Sequence, residues 1–247
     1  MILYGSIAMI AAGALVLPIL WFVSAPYGRH ARAGWGPSAN ARWTWIVMES
    51  PSVWLFSYVF LSSPGPHAPS VWLLAALFLT HYVQRTVVFP FLMKNPGQKP
   101  VIVAAMAFVF NLGNSSLNAL GLAELDLTGR APALTSPRFL LGVALFVVGF
   151  ALNVHSDTVL RNLRKPGGPR YVMPNSGGFR WVTSPNYFGE IVEWTGFAIA
   201  AGTLPAIAFT LFTVANLLPR ARTHHAWYRA QFADYPPERR ILIPGVF

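Results

Sequence analysis

The chain has 247 residues, of which 54% are hydrophobic, 14% aromatic and only 11% charged, against roughly a quarter charged in an ordinary water-soluble domain. That balance excludes a soluble single domain, and the absence of cysteine excludes disulfides, thiolate nucleophiles, cysteine-ligated zinc and iron–sulfur clusters. Eighteen Lys+Arg against eight Asp+Glu give a net charge of +10, which suits nucleic acid, anionic lipid or an anionic soluble ligand, so the location of the charges has to decide.

Apolar runs of membrane-crossing length predict helices at about residues 1 to 23, 43 to 62, 70 to 93, 101 to 121 and 138 to 155. The first opens Met1-Ile2-Leu3-Tyr4-Gly5-Ser6 without a basic segment, and is read as a span rather than a cleaved signal. Residues 187 to 218 are too long for one ordinary span, and Gly202-Thr203-Leu204-Pro205 interrupts them, so they form one kinked helix or two. Charge decides between these, because cations gather in cytoplasmic loops. With seven spans, 16 of the 18 cations share one face, and only Arg130 and Arg138 lie on the other. The expectation is an all-α bundle of seven transmembrane helices in a single domain, residues 1–247, with the N-terminus outside and the C-terminus cytoplasmic. The polar stretch 156 to 186 reads as a structured cytoplasmic loop.

Ionisable groups inside or at the ends of apolar spans mark functional sites by default. Glu49 lies in the second span, Tyr82 and Arg85 one turn apart in the third, and Asn153, His155 and Asp157 end the fifth. Glu190 and Glu193 open the sixth, and His224, His225 and Tyr228 follow the seventh. Seven spans bring all of them toward the cytoplasmic side, which predicts a cavity ringed by basic loops for an anionic ligand and walled by Trp, Phe and Leu for an apolar one. No metal is expected, since the adjacent histidines diverge on a helix. There is no G-x-G-x-x-G turn, Walker lysine, G-x-S-x-G elbow or H-E-x-x-H pair. Nucleic acid is not an expected partner, because the cations are dispersed over membrane loops.

The segment Asn153-Val154-His155-Ser156-Asp157, running on through Leu160-Arg161-Asn162-Leu163-Arg164-Lys165-Pro166-Gly167, resembles the steroid 5-alpha-reductase family. So do Pro185-Asn186-Tyr187-Phe188-Gly189-Glu190-Ile191-Val192-Glu193-Trp194 and His224-His225-Ala226-Trp227-Tyr228 with Asp234-Tyr235-Pro236 and Leu242-Ile243-Pro244. Upstream, Tyr27-Gly28-Arg29-His30, Glu49-Ser50-Pro51-Ser52 and His81-Tyr82-Val83-Gln84-Arg85 resemble further landmarks, so the likeness covers nearly the whole chain and is strongest from residue 150 onward. The resemblance implies a membrane oxidoreductase that uses NADPH to reduce the 4,5 double bond of a 3-oxo-delta-4 steroid. It assigns Glu49 and Tyr82 to the steroid carbonyl. It assigns Asn153, Asp157, Arg164, Tyr171, Asn186, Glu190, Arg220, His224, Tyr228 and Arg239 to the cofactor, to which Tyr27, Arg29 and Arg85 of the upstream landmarks are added. At one position the chain departs from the pattern, with Met48 where the family commonly has Gln.

The residues fit that chemistry on their own terms. Hydride delivered to the beta carbon of an enone drives negative charge onto the carbonyl oxygen, which needs a donor in a dry site. Tyr82 is such a donor, and Glu49 either orients it or, protonated, donates a second hydrogen bond. Arginines suit the pyrophosphate and 2′-phosphate of NADPH. A reductase of another conjugated carbonyl lipid, of enoyl thioester or polyprenal type, is an alternative. An S-adenosylmethionine-dependent membrane methyltransferase, or a seven-helix receptor or transporter, are others. The expected setting is a bacterial inner membrane or the endoplasmic reticulum membrane, among lipid, with the cofactor site toward the cytoplasm.

Overall fold

The computed structural model describes residues 1–65, 67–163 and 171–247. In hydrocarbon the backbone polar groups have to be paired within the protein, as in helices or closed barrels, and this chain meets that demand with helices. The first, α1 (Ile2–Phe22), leads through an irregular segment to α2 (Ala41–Glu49) and α3 (Pro51–Leu61). Ser50 between these two is itself helical, at φ −57° and ψ −33°, so α2 and α3 form one body interrupted at Pro51, whose ring supplies no N–H to the helix shortly after Glu49. A π-helical turn, Gln84–Val88, carries α4 (Pro69–Val83) into α5 (Phe89–Leu92). Then follow α6 (Val101–Leu127), α7 (Pro137–Asn162), α8 (Pro185–Ala201) and α9 (Leu204–Gln231). Two short strands, β1 (Ser38–Asn40) and β2 (Gln98–Pro100), pair antiparallel with Ala39 opposite Lys99.

Five stretches are long and apolar enough to cross a membrane: Ile2–Phe22, Pro69–Leu92, Val101–Leu127, Pro137–Asn162 and Leu204–Gln231. The chain is therefore a mostly helical, integral membrane protein. Residues 187 to 218 divide into two helices. Gly202 adopts φ +66°, a left-handed helix stop suited to glycine, and the Thr203 side chain accepts the Ala206 N–H to start α9, with Pro205 in its first turn. The Thr210 hydroxyl donates to the Trp194 carbonyl at 2.8 Å, which closes α8 and α9 into an antiparallel hairpin. One expectation needs correction. Residues 156 to 162 are not loop, because α7 continues to Asn162; apolar patterning marks only the part of a helix that meets the core.

Successive helical bodies alternate in direction. At one end, Arg42 of α2 donates to the carbonyls of Pro90 and Met93, Arg222 of α9 donates to the Trp21 carbonyl, and Thr183 N–H bonds Arg240 O. At the other end, His67 and Asp126 join the turn after α3 to the last turn of α6 at 2.8 Å. Among the described residues the charged segments thus share the first end, and Arg130 and Arg138 lie at the second.

Glycine sets the closest contact. Gly142 and Gly149 of α7 face Gly196 and Gly189 of α8 in antiparallel register, and a β-carbon on any of the four would run into the opposite backbone. Small residues at such positions let membrane helices approach closely enough for dispersion to hold them. The same approach brings Asn153 beside Asn186 and Glu190. Above the charged end, Phe56, Phe60, Phe78, Trp194, Phe197 and Phe209 form a buried aromatic core.

Candidate active site

Glu49 closes α2 and Tyr82 stands one residue before the end of α4, and α6 serves both. The Asn111 amide donates to the Met48 carbonyl at 2.7 Å and to Glu49 Oε2 at 3.2 Å. One turn on, Asn114 Nδ2 donates to the Tyr82 hydroxyl at 3.0 Å, and Asn118 Nδ2 donates to Asn114 Oδ1 at 2.9 Å. Residues 111, 114, 115 and 118 share one helical face, and all four are buried. Uncharged, they escape a search for ionisable groups, yet their i, i+3, i+4, i+7 spacing inside an apolar span is a signal readable from the sequence. Tyr82 packs on Phe78 and Trp194, with ring centroids 4.7 and 5.8 Å away. Behind it, His81 Nδ1 meets Glu193 Oε1 at 2.7 Å, a fully buried link from α4 to α8.

A second network lies beside the first. Arg85, carried on the π-helical turn, reaches Asp157 Oδ2 at 3.4 Å and lies over the Trp45 and Phe89 rings. Asn186 donates to the other Asp157 oxygen at 3.0 Å, while Asn153 Nδ2 bonds the Asn186 carbonyl at 3.0 Å and Glu190 Oε2 at 3.2 Å. Glu49, Glu190 and Tyr187 are also electrostatic neighbours of Arg85, so the two networks adjoin.

Farther toward the loops the cations meet rings instead of acids. Arg220 lies 5.0 Å from the Tyr27 centroid and 5.3 Å from that of Tyr187. Arg29 covers Trp227 and Tyr228 at 4.9 and 4.6 Å. His224 stacks on His30 at 5.3 Å and tilts against Tyr187 at 5.4 Å, and the Tyr171 ring meets Trp227 edge-on at 4.9 Å. Burial, then the charges of Arg29, Arg220 and Arg32, lower His30 to a pKa of about 4, so its imidazole is neutral at pH 7. Arg29 Nη1 and His30 Nε2 are buried without a hydrogen-bond partner among the described residues. Lys99, counted from sequence only as a loop cation, is buried here. Its Nζ lies 3.2 Å from Met48 Sδ and 4.1 Å from the Trp45 centroid, and burial, followed by Arg220 and Arg85 against the pull of Glu49, brings it down to about 7.

The structure thus gathers Glu49, Tyr82, Arg85, Asn153, Asp157, Asn186 and Glu190 in two adjoining networks, together the inner network, and Tyr27, Arg29, Tyr171, Arg220, His224 and Tyr228 in the basic layer next to it. Arg239 stands apart: its guanidinium donates to the Pro174 carbonyl at 3.0 Å and to Asn175 Oδ1 at 2.8 Å, and lies over Tyr235. Arg164 lies outside the described residues. Between α1 and α6 an apolar crevice of about 380 Å³ is lined by Met1, Met9, Phe110 and Leu117, and Asn114 forms part of its wall.

Comparison with known proteins places the chain. The family described as 3-oxo-5-alpha-steroid 4-dehydrogenase matches residues 97–247. The rat 3-oxo-5-alpha-steroid 4-dehydrogenase 1 is 43% identical over 228 residues, covering 91% of this chain and 87% of the relative. The steroid 5-alpha-reductase DET2 of Gossypium hirsutum is 43% identical over 233 residues, 92% and 90% of the two chains. That of Arabidopsis thaliana is 39% identical over 253 residues, 99% and 96%. The chain belongs to the 3-oxo-5-alpha-steroid 4-dehydrogenase family. It is accordingly a membrane oxidoreductase of the class acting on a CH–CH bond, and the methyltransferase and receptor alternatives fall away. Within this family the likeness extends upstream of residue 97, so that Glu49 and Tyr82 lie in the part shared with the plant relatives.

Proposed function

We propose that residues 1–247 act as one reductase domain that uses NADPH to saturate the 4,5 double bond of 3-oxo-delta-4 steroids. The observation that carries this reading is the convergence of Glu49 and Tyr82 on α6 amides beside an apolar crevice, with cations that rest on aromatic rings next to them. The apolar crevice suits a steroid, and Asn114, which is both wall and partner of Tyr82, ties the crevice to the polar pair.

The basic layer suits the dinucleotide. Arg29 and Arg220 are in no ion pair with a carboxylate among the described residues, and the unpartnered Arg29 Nη1 and His30 Nε2 are suited to phosphate oxygens. Tyr27, Tyr171, His224 and Tyr228 offer ring faces and donors there. Asn153, Asp157, Asn186 and Glu190, with Arg85, would hold the reactive end close to Tyr82, and Arg164 and Arg239 complete the assignment that the resemblance implies. NADPH held there would supply the hydride.

As hydride reaches C5, charge moves through C4 onto the C3 oxygen. The Tyr82 hydroxyl donates to that oxygen, in a site where Phe78 and Trp194 exclude water and so strengthen the interaction. Glu49, held by Asn111, orients the same end of the substrate. A proton added at C4 completes the saturated ketone. Seven membrane spans with the basic end cytoplasmic would open this site to cytoplasmic NADPH. The test is turnover of purified protein with NADPH against a panel of enones. Oxidation of NADPH together with a two-hydrogen mass gain on a 3-oxo-delta-4 steroid is expected; reduction of enoyl thioesters or polyprenals with every steroid left intact would replace the substrate assignment.

A further inference from the structure

The asparagines of α6 have so far only been placed as partners of Glu49 and Tyr82, yet their hydrogen bonds have a fixed direction. Asn118 Nδ2 donates to the Asn114 backbone carbonyl at 3.0 Å and to Asn114 Oδ1 at 2.9 Å. A backbone carbonyl only accepts, so the Asn118 amide cannot be turned round. Asn114 Oδ1 is thereby committed to Asn118, and its Nδ2 faces the Tyr82 hydroxyl at 3.0 Å. The Tyr82 oxygen then accepts, and its own proton has to go elsewhere. Its neighbour in the resting protein is the Ser52 hydroxyl. Asn114 and Asn118 are 0% and 1% exposed; both amide atoms of Asn114 are partnered, while Asn118 Oδ1 is buried without a hydrogen-bond partner among the described residues, and polar groups inside a membrane helix are costly to bury.

We propose that Asn114, locked by Asn118, is a positioning residue that keeps the Tyr82 hydroxyl pointed as a donor at the substrate carbonyl. This rests on the reading of Tyr82 given above. A donated hydrogen bond also polarises the phenol, since bonds in series strengthen one another at low dielectric. Asn111 repeats the device for Glu49: its amide is fixed by the Met48 carbonyl and its second N–H goes to the carboxyl.

The discriminating substitution is Asn114→Asp, which keeps the shape but presents an oxygen to Tyr82, and so diverts the phenol proton away from the substrate. Asn114→Leu removes the partner and leaves the proton free. Turnover should fall about 10- to 100-fold in Asn114→Asp, as for loss of one charge-assisted hydrogen bond, and less in Asn114→Leu. The steroid KM and NADPH affinity should stay near those of the parent, the latter reporting that each variant is folded. On a Tyr82→Phe background, followed by single-turnover reduction, the difference between the two Asn114 variants should vanish. Should Asn114→Asp prove unable to bind NADPH, Asn118→Leu serves instead: it releases the lock one bond farther out, and its smaller loss of turnover should likewise disappear when Tyr82→Phe is present. Losses that persist undiminished on the Tyr82→Phe background would overturn the proposal, as would full turnover in Asn114→Asp or Asn118→Leu. If Tyr82→Phe alone keeps full turnover, it is the reading of Tyr82 that fails; if it loses turnover while the α6 variants do not, only the positioning role fails.

Discussion

The inner network and the basic layer lie side by side but are satisfied in opposite ways. Four of the eight acidic residues, Glu49, Asp157, Glu190 and Glu193, are in the inner network, where amides, Arg85 and His81 meet them. Glu124 and Asp126 stand at the far end of the bundle and Asp234 and Glu238 in the C-terminal segment. No ion pair to a carboxylate is therefore made by Arg29, Arg220 or Lys99 among the described residues; they rest on tyrosine and tryptophan faces. A ring face holds a cation in place for about 0.5 to 2 kcal/mol, less than an anion supplies at short range. The inner polar groups are satisfied by one another, and in the proposed reading the outer ones await a ligand that brings the missing negative charge.

The largest expected effect falls on the reacting end of the inner network. Tyr82→Phe deletes one hydroxyl and keeps the ring on Phe78 and Trp194, so turnover should drop about 10²- to 10³-fold, as for a preorganised oxyanion donor. Folding and NADPH affinity should hardly change. Glu49→Gln keeps the shape and the Asn111 contact, so a modest loss points to a neutral Glu49 and a severe one to its charge or proton. Retained reduction of every accepted enone by Tyr82→Phe would end the proposed role of Tyr82.

Two arginines sharpen the contrast. Arg85→Ala leaves Asp157 without its cation among buried groups, and unfolding in detergent should become easier by about 3 kcal/mol, the scale of a broken buried pair. Arg220→Ala removes a cation that is in no ion pair with a carboxylate among the described residues. Its thermal stability should be that of the parent, while NADPH binds about 10- to 100-fold more weakly, with a shallower dependence on salt. Equal destabilisation by both substitutions would erase the distinction between the two layers.

Much of this was legible beforehand, for physical reasons. The Gly202 to Pro205 break shows in sequence because a left-handed glycine and a first-turn proline are local requirements. Glu49 and Tyr82 stand out because hydrocarbon tolerates few polar groups. The polar end of α7 did not show, since a helix that leaves the apolar core loses the pattern but keeps its hydrogen bonds. Nor did the His81–Glu193 link, whose partners are 112 residues apart, or the burial of Lys99, which depends on β1 pairing with β2. The interruption at Pro51 was written in the chain, although the run of apolar residues reads straight across it.

The smallest expected effect is a pH slope. Burial holds Lys99 near a pKa of about 7, well below the 10.4 of a free lysine side chain. Below pH 7 both folded and unfolded chains carry the ammonium, so the folded state bears the full burial penalty. As pH rises above 7, the folded protein gives up that proton while the unfolded chain keeps it until about pH 10, so the ligand-free protein should become more stable across that window, by at most about 1.4 kcal/mol per pH unit. Lys99→Met keeps the length and the apolar neighbours Met48 and Trp45 and cannot titrate. Its melting temperature in detergent should follow pH less steeply than the parent's between pH 7 and 9 and lie above it at pH 6. Parallel slopes would show that Lys99 keeps its proton throughout, with the pull of Glu49 prevailing over burial, and would move Lys99 from the unpaired basic layer to the inner network.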